Sequence, residues 1–167
     1  MCHSRMKQRN WSAGLRPGML LLLTVALFLS GCQNAPPLPP VDLAAPGWRV
    51  QHGQAVWKPT RSRPELAGEL ILATRTNGDF FVQFAKTPFS LATAQVLNGQ
   101  WQIEFGDGNR RWGGSGEPHS RFVWFQLPRA LANGFLDKHW RFTNLTPDTW
   151  RLENLHTGET LEGGFFQ

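Results

Sequence analysis

The chain has 167 residues, a length that suits one domain and a targeting segment. Its 17 Lys and Arg against 12 Asp and Glu give a formal charge of +5. Four of those positive charges (Arg5, Lys7, Arg9 and Arg16) precede residue 19, and from Cys32 onward 13 Lys and Arg meet 12 Asp and Glu. The remainder is near neutral, with Arg110-Arg111 its only adjacent basic pair. That leaves no footprint for a phosphate backbone, and nucleic acid is not an expected partner.

Residues 19–32 read MLLLLTVALFLSGC, an unbroken apolar run behind a cationic lead-in with no acid before Asp42. A positive n-region, a short apolar h-region and small residues at the end make a secretory signal. The run falls short of the roughly 20 residues a membrane span needs. Its last four residues, Leu29-Ser30-Gly31-Cys32, resemble the lipobox of bacterial lipoproteins. The resemblance implies cleavage before Cys32, with diacylglycerol on its thiol and an N-acyl chain on the new amino terminus, and no other cofactor. Residues 1–31 are then signal peptide. Cys2 leaves with them, and is absent altogether if translation starts at Met6 rather than Met1. Cys32 remains as a lone cysteine, so neither an intramolecular disulfide nor a zinc site built on thiolates is expected.

Residues 32–46 carry Pro36, Pro37, Pro39 and Pro40 and read as an unpacked, semi-stiff tether. Gln33 stands where an Asp would, by the same resemblance, retain a lipoprotein at the inner membrane. The implied location is the outer membrane, facing the periplasm, with the bilayer as partner through Cys32.

The domain is expected over 47–167. Residues 48–57 place Trp48, Val50 and His52 on one face of a strand, with Gly53 as a bulge. Residues 65–74 form a second strand with Leu66, Gly68, Leu70 and Leu72 in register. Asn77-Gly78 predicts a type I′ hairpin returning through 79–86, where Phe80, Val82 and Phe84 share a face. After Pro88, a strand over 89–97 alternates Phe89, Leu91 and Thr93. Asn98-Gly99 is a second hairpin turn, and Trp101, Ile103 and Phe105 alternate cleanly beyond it. Residues 106–109, starting Gly106-Asp107, turn into a glycine-loosened strand over 110–116, closing a meander of about six strands.

From 118 to 132 the alternation stops. A helix is predicted there, with Ser120 as N-cap, Asn133-Gly134 as stop and Pro128 kinking or splitting it. A short strand over 140–142 follows, then a hairpin of 150–155 with 159–165 across Thr157-Gly158. The predicted fold is mainly β (α+β), a strongly curved antiparallel sheet or half-barrel under one covering helix.

No catalytic constellation emerges, and the chain is not expected to be an enzyme. Gly113-Gly114-Ser115-Gly116-Glu117 misses the nucleophile-elbow pattern G-x-S-x-G at its last position. His52, His119, His139 and His156 stand singly, without metal-ligand spacing. Asp107 is first a turn former, and Glu104 and Glu153 read as the solvent face of their strands rather than a paired acid and base. The aromatic residues stand out instead. Phe80, Val82, Phe84, Trp101, Ile103, Phe105, Phe122 and Trp124 are the candidate lining of an apolar cavity, or else the packed core under the helix.

Gly68-Glu-Leu-Ile-Leu72, residues 80–86, the aromatic-rich segment 122–131, Trp150-Arg-Leu-Glu-Asn and Thr160-Leu-Glu-Gly163 resemble the LolA/LolB-like lipoprotein-carrier fold. That resemblance implies a half-barrel with a helical lid, an acyl-chain or lipoprotein cargo, and help in localising lipoproteins. The alternative is an accessory envelope lipoprotein that recruits a protein partner and binds no ligand.

Overall fold

The computed structural model describes residues 36–106 and 110–166; the expected signal segment, Cys32, Gln33 and the Asp107 turn lie outside them. Its strands are β1 (Arg49–Lys58), β2 (Leu66–Thr74), β3 (Phe80–Lys86), β4 (Phe89–Leu97), β5 (Gln100–Phe105) and β6 (Arg110–Ser115). Helix α1 (Val123–Leu131) comes next, then β7 (Trp140–Asn144), β8 (Thr149–Asn154) and β9 (Thr160–Phe165). All nine strands form one antiparallel sheet in the order β6-β5-β4-β3-β2-β1-β9-β8-β7. The sheet is not closed, and β6 and β7 are its edges.

Each hairpin follows its local chemistry. Asn98 and Gly99 both take positive φ (51° and 72°), as a type I′ turn requires. At Asn77-Gly78 the expectation of a type I′ turn fails. Gly78 alone has positive φ (92°), its amide donates to the Arg75 carbonyl, and Arg75 N–H donates to Asp79. This is a three-residue loop with a glycine in the left-handed position, which demands a positive φ only once. Pro88 sits in the β3–β4 turn after a cis Thr87–Pro88 bond.

One face of the sheet carries the core. Ala55 and Trp57 of β1, Leu70 and Leu72 of β2, Phe80, Val82 and Phe84 of β3, and Ile103 of β5 are all buried on it. Leu152 and Leu161 extend it across β8 and β9. Cross-strand rows alternate large and small side chains: Phe84–Ala92–Phe105 and Val82–Ala94–Ile103. The two alanines leave room above β4, against which α1 packs. Each fully buried Leu, Val or Phe contributes about 1.5–3 kcal/mol.

Pairing decides which faces of β1 and β4 turn inward. Val50 and His52 share a face of β1, which begins after Trp48, and its buried side is that of Gly53, Ala55 and Trp57. On β4 the buried face holds Ala92 and Ala94, while Phe89 is 69 % exposed. The register shifts between Phe84 and Ala85, and an extra residue there moves every following side chain to the other face. Gly53 is no bulge; it pairs regularly with Leu70 and Phe165, and a Cβ on it would run into the Gly164 carbonyl. The glycine permits close approach of β1 and β9.

The helix is shorter than predicted. It starts at Val123 rather than near Pro118, its N-cap is Phe122, and no side chain caps it. Ser120 serves instead through its carbonyl, which accepts the Trp140 indole N–H at 2.7 Å. Pro128 lies inside α1 without splitting it. The stop is as predicted: Asn133 turns left-handed (φ 54°), its N–H donating to Ala130 and Gly134 N–H to Arg129. Those two bonds make a Schellman motif, with Asn in the usual glycine position.

The expectation of an unpacked tether fails from Leu38 onward. Leu38 N–H donates to Gln102 Oε1 at 2.7 Å, Gln95 Nε2 to the Pro39 carbonyl at 3.5 Å, and Arg75 to the Pro46 carbonyl at 3.4 Å. Leu38, Val41, Leu43 and Ala45 are half-buried while their neighbours are exposed. Residues 38–46 form a strap along the outer face of the sheet. Gln95 and Gln102 are buried beneath it although they point away from the core.

Candidate functional site

The eight candidate residues come together. Phe80, Val82 and Phe84 stand on β3, and Trp101, Ile103 and Phe105 on β5. Phe122 and Trp124 stand at the start of α1. All belong to one apolar cluster or pack against it. Trp124 stacks on Phe84 at 5.3 Å between ring centroids, Phe105 meets Phe122 at 6.1 Å, and Val82, Phe84 and Ile103 are fully buried. Trp101, Phe105 and Phe122 are half-buried at the rim.

Sequence reasoning left two hubs off the candidate lining. Phe125 touches Phe80, Trp101 and Phe122, and Trp57 touches Phe84, Phe105 and Trp124. Phe125 neighbours Trp124 in sequence, and a helix exposed on one side would bury only one of them. Here six consecutive residues, Val123 to Pro128, are buried. The alternation of Ala55 with Trp57 is the signal that places Trp57 on the buried face of β1.

The cluster also holds polar atoms without protein partners. Among the described residues, Trp124 Nε1, both amide atoms of Gln126 and Trp150 Nε1 are buried and unpaired. Gln126 is fully buried on α1. An unpaired buried polar group costs about 1–3 kcal/mol, so this helix is held by apolar packing against a polar penalty.

A second feature lies at the β8–β9 turn. Trp57 Nε1 donates to Glu159 Oε1 at 2.9 Å. Burial pushes the Glu159 carboxyl up to about 7, against the smaller opposing effect of that indole bond. Desolvation penalises the charged form, so the carboxyl holds its proton well above the ordinary carboxylate range.

The hollows lie at the margins of this cluster, and one of about 430 Å³ is lined by Phe80, Val96 and Pro128 of α1. One of about 660 Å³ opens on the outer face, where Ala67, Gly68, Ala85, Gly163 and Gly164 leave the strands bare between Glu69, Lys86 and Glu162. Another, of about 270 Å³, lies between Pro36 and Leu38 of the strap and Gly113, Gly114 and Ser115 of β6.

The remaining candidates disperse. Glu104 pairs with Arg111 and Glu153 with Arg141, on strands β5 and β8 with five strands between them in the sheet order. Ser115 is exposed at the end of β6. The histidines are not all single: the His139 and His156 rings stand 5.8 Å apart. Among the described residues no three His, Cys, Asp or Glu side chains are grouped to hold a metal ion, and no helix is long and apolar enough to cross a membrane. No protein-family model matches the chain, and no curated protein does.

Proposed function

We propose that this chain is a lipid-anchored, periplasm-facing lipoprotein of the outer membrane whose β domain works by binding rather than catalysis. Its ligand is an acyl chain or a comparable apolar group, received between α1 and the core face of the sheet, in a role that assists lipoprotein localisation. Cys32 carries the diacylglycerol and N-acyl anchor. The observation that carries the reading is α1 itself: a nine-residue, side-chain-uncapped helix over an aromatic cluster, with Gln126 and Trp124 buried against it unpaired. Lifting that helix solvates the unpaired groups. Each CH₂ of an incoming chain that replaces it contributes about 0.8 kcal/mol.

We read the sheet as a half-barrel curled around α1. Six consecutive buried residues take in every side of a helix. The helix also packs on both β4 and β8, which stand five ladder steps apart, about 24 Å in a flat sheet.

Titrating the full chain with a fluorescent fatty acid tests the ligand, and saturable binding weakened by Phe84→Asp or Phe122→Asp is expected. Metabolic labelling with palmitate, lost in Cys32→Ala, tests the anchor. The accessory-lipoprotein reading has its own support: Val82, Phe84 and Ile103 are fully buried in side chains of the protein itself. No saturable binding, together with co-purification of an envelope partner, decides for it.

A further inference from the structure

We propose that the β6 edge of the sheet is the surface that rests on the bilayer, its occupant the phospholipid head-group layer. The inference depends on the Cys32 anchor put forward above.

The strap supplies the direction. Followed backwards, it leaves Pro46 at Arg75 beyond the end of β2, meets Gln95 of β4 at Pro39, and meets Gln102 of β5 at Leu38. At Pro36 it lies beside Gly113, Gly114 and Ser115 of β6. The chain therefore steps strand by strand toward one edge of the sheet. Cys32 precedes Pro36 by four residues, and an extended chain gains at most about 3.6 Å per residue. An acylated residue 32 is thus tied within about 14 Å of Pro36, which shares a hollow with this edge. The opposite edge, β7, lies at the far end of the strand order.

The chemistry of the edge suits that neighbour. Trp112 is 38 % exposed on β6 and leans on Phe105 and Phe122, each at 5.9 Å. The Arg121 guanidinium sits 4.5 Å above the Phe122 ring. Arg110, two residues before Trp112, lies on the same face of the strand and is exposed. Among the described residues, Glu104 is engaged by Arg111 and Glu117 by Arg129. Exposed indole beside guanidinium is the composition that settles at head-group level, with the ring among the carbonyls and the cation on phosphate. Ser115 ends the same strand, and Leu145, 48 % exposed, follows β7 at the other edge.

The test uses the full acylated chain in vesicles of phosphatidylethanolamine and phosphatidylglycerol. An acylated Cys32 leaves no free thiol in the processed chain, so single cysteines at Ser115→Cys and Leu145→Cys take an environment-sensitive dye selectively. Bromolipids should quench the dye at 115 several-fold more than at 145, and the Arg110→Glu/Arg121→Glu pair should bring the two levels together. Equal quenching at both positions, or quenching at 115 that survives charge reversal, overturns the edge assignment alone. A chain that fails to float with the vesicles overturns the anchor, and the inference with it.

Discussion

Gln102 Oε1 accepts the Leu38 amide at 2.7 Å, fastening the start of the strap to the outer face of β5. Gln102 Nε2 in turn donates to Glu104, which Arg111 of β6 engages. Gln102→Leu removes the acceptor and should cost about 1 kcal/mol. The loss should appear as faster amide exchange over residues 38–46 with the core amides unchanged. Unchanged exchange at Leu38 would show that the strap is held by its apolar contacts alone.

Glu159 sets a pH dependence with a definite sign. Its carboxyl titrates near 7 when folded, against an ordinary 4.5. Between those values the folded protein holds a proton that the unfolded chain releases, so stability falls as pH rises. The contribution is fully present below about 4.5 and lost as pH climbs through about 7, on the order of 3 kcal/mol in all. Glu153, held below its ordinary range by the Arg141 hydrogen bond, acts in the opposite sense at lower pH. Urea midpoints at pH 5 and pH 8 measure the drop, and Glu159→Gln should abolish most of it while keeping an acceptor for Trp57.

Gln126 is expected to be a liability to the closed fold. Gln126→Met keeps the side-chain length and removes two buried, unpaired polar atoms. A gain of about 1–3 kcal/mol should follow, read as a higher Tm. A loss would mean that the amide is satisfied within the folded protein. Under the acyl-binding reading the same change also tightens the helix and weakens fatty-acid uptake.

Trp124 is 1 % exposed between Trp57 and Phe84. Trp124→Ala should cost about 3–5 kcal/mol, since the fixed strands around it cannot close the void. Chemical denaturation measures it, and a cost near zero would place the helix outside the cooperative core.

Gly163 lies where β9 passes close to β1. A Cβ there would stand 2.5 Å from the Gln54 carbonyl oxygen and 2.9 Å from the Ala55 methyl. Gly163→Ala should therefore destabilise by about 1–3 kcal/mol, and unfolding by urea reads the cost directly.

Strand positions were legible because alternation and Asn-Gly turns are local signals; β4 was placed residue for residue at Phe89–Leu97. Which face turns inward was legible only where no irregularity intervened. The bulge at Phe84/Ala85 leaves no mark in the sequence, and it puts Thr93 on the face opposite Phe89, with which alternation pairs it. The start of α1 was misplaced because Phe122 caps it without a side-chain bond, so there was no Ser or Asp to read. The strap was missed for a related reason. Its prolines lack amide hydrogens and look like spacer, and the alternation of Val41, Leu43 and Ala45 is too short a signal beside them. The aromatic candidates converge as foreseen, because large apolar side chains on alternating strand positions have one face to fill.

The pairing of β1 with β9 joins residues 53–58 to residues 160–165 in the middle of the sheet. A chain folding from its amino-terminal side can complete the β1–β6 meander early, since each of those hairpins is local. The bare inner edge of β1 must then wait for nearly all of the remaining chain. Such distant closure is slow, and an uncovered strand edge is where chains stick to one another. The chain thus meets its most aggregation-prone moment late, with the β1–β6 meander formed and the free edge of β1 uncovered until β9 arrives.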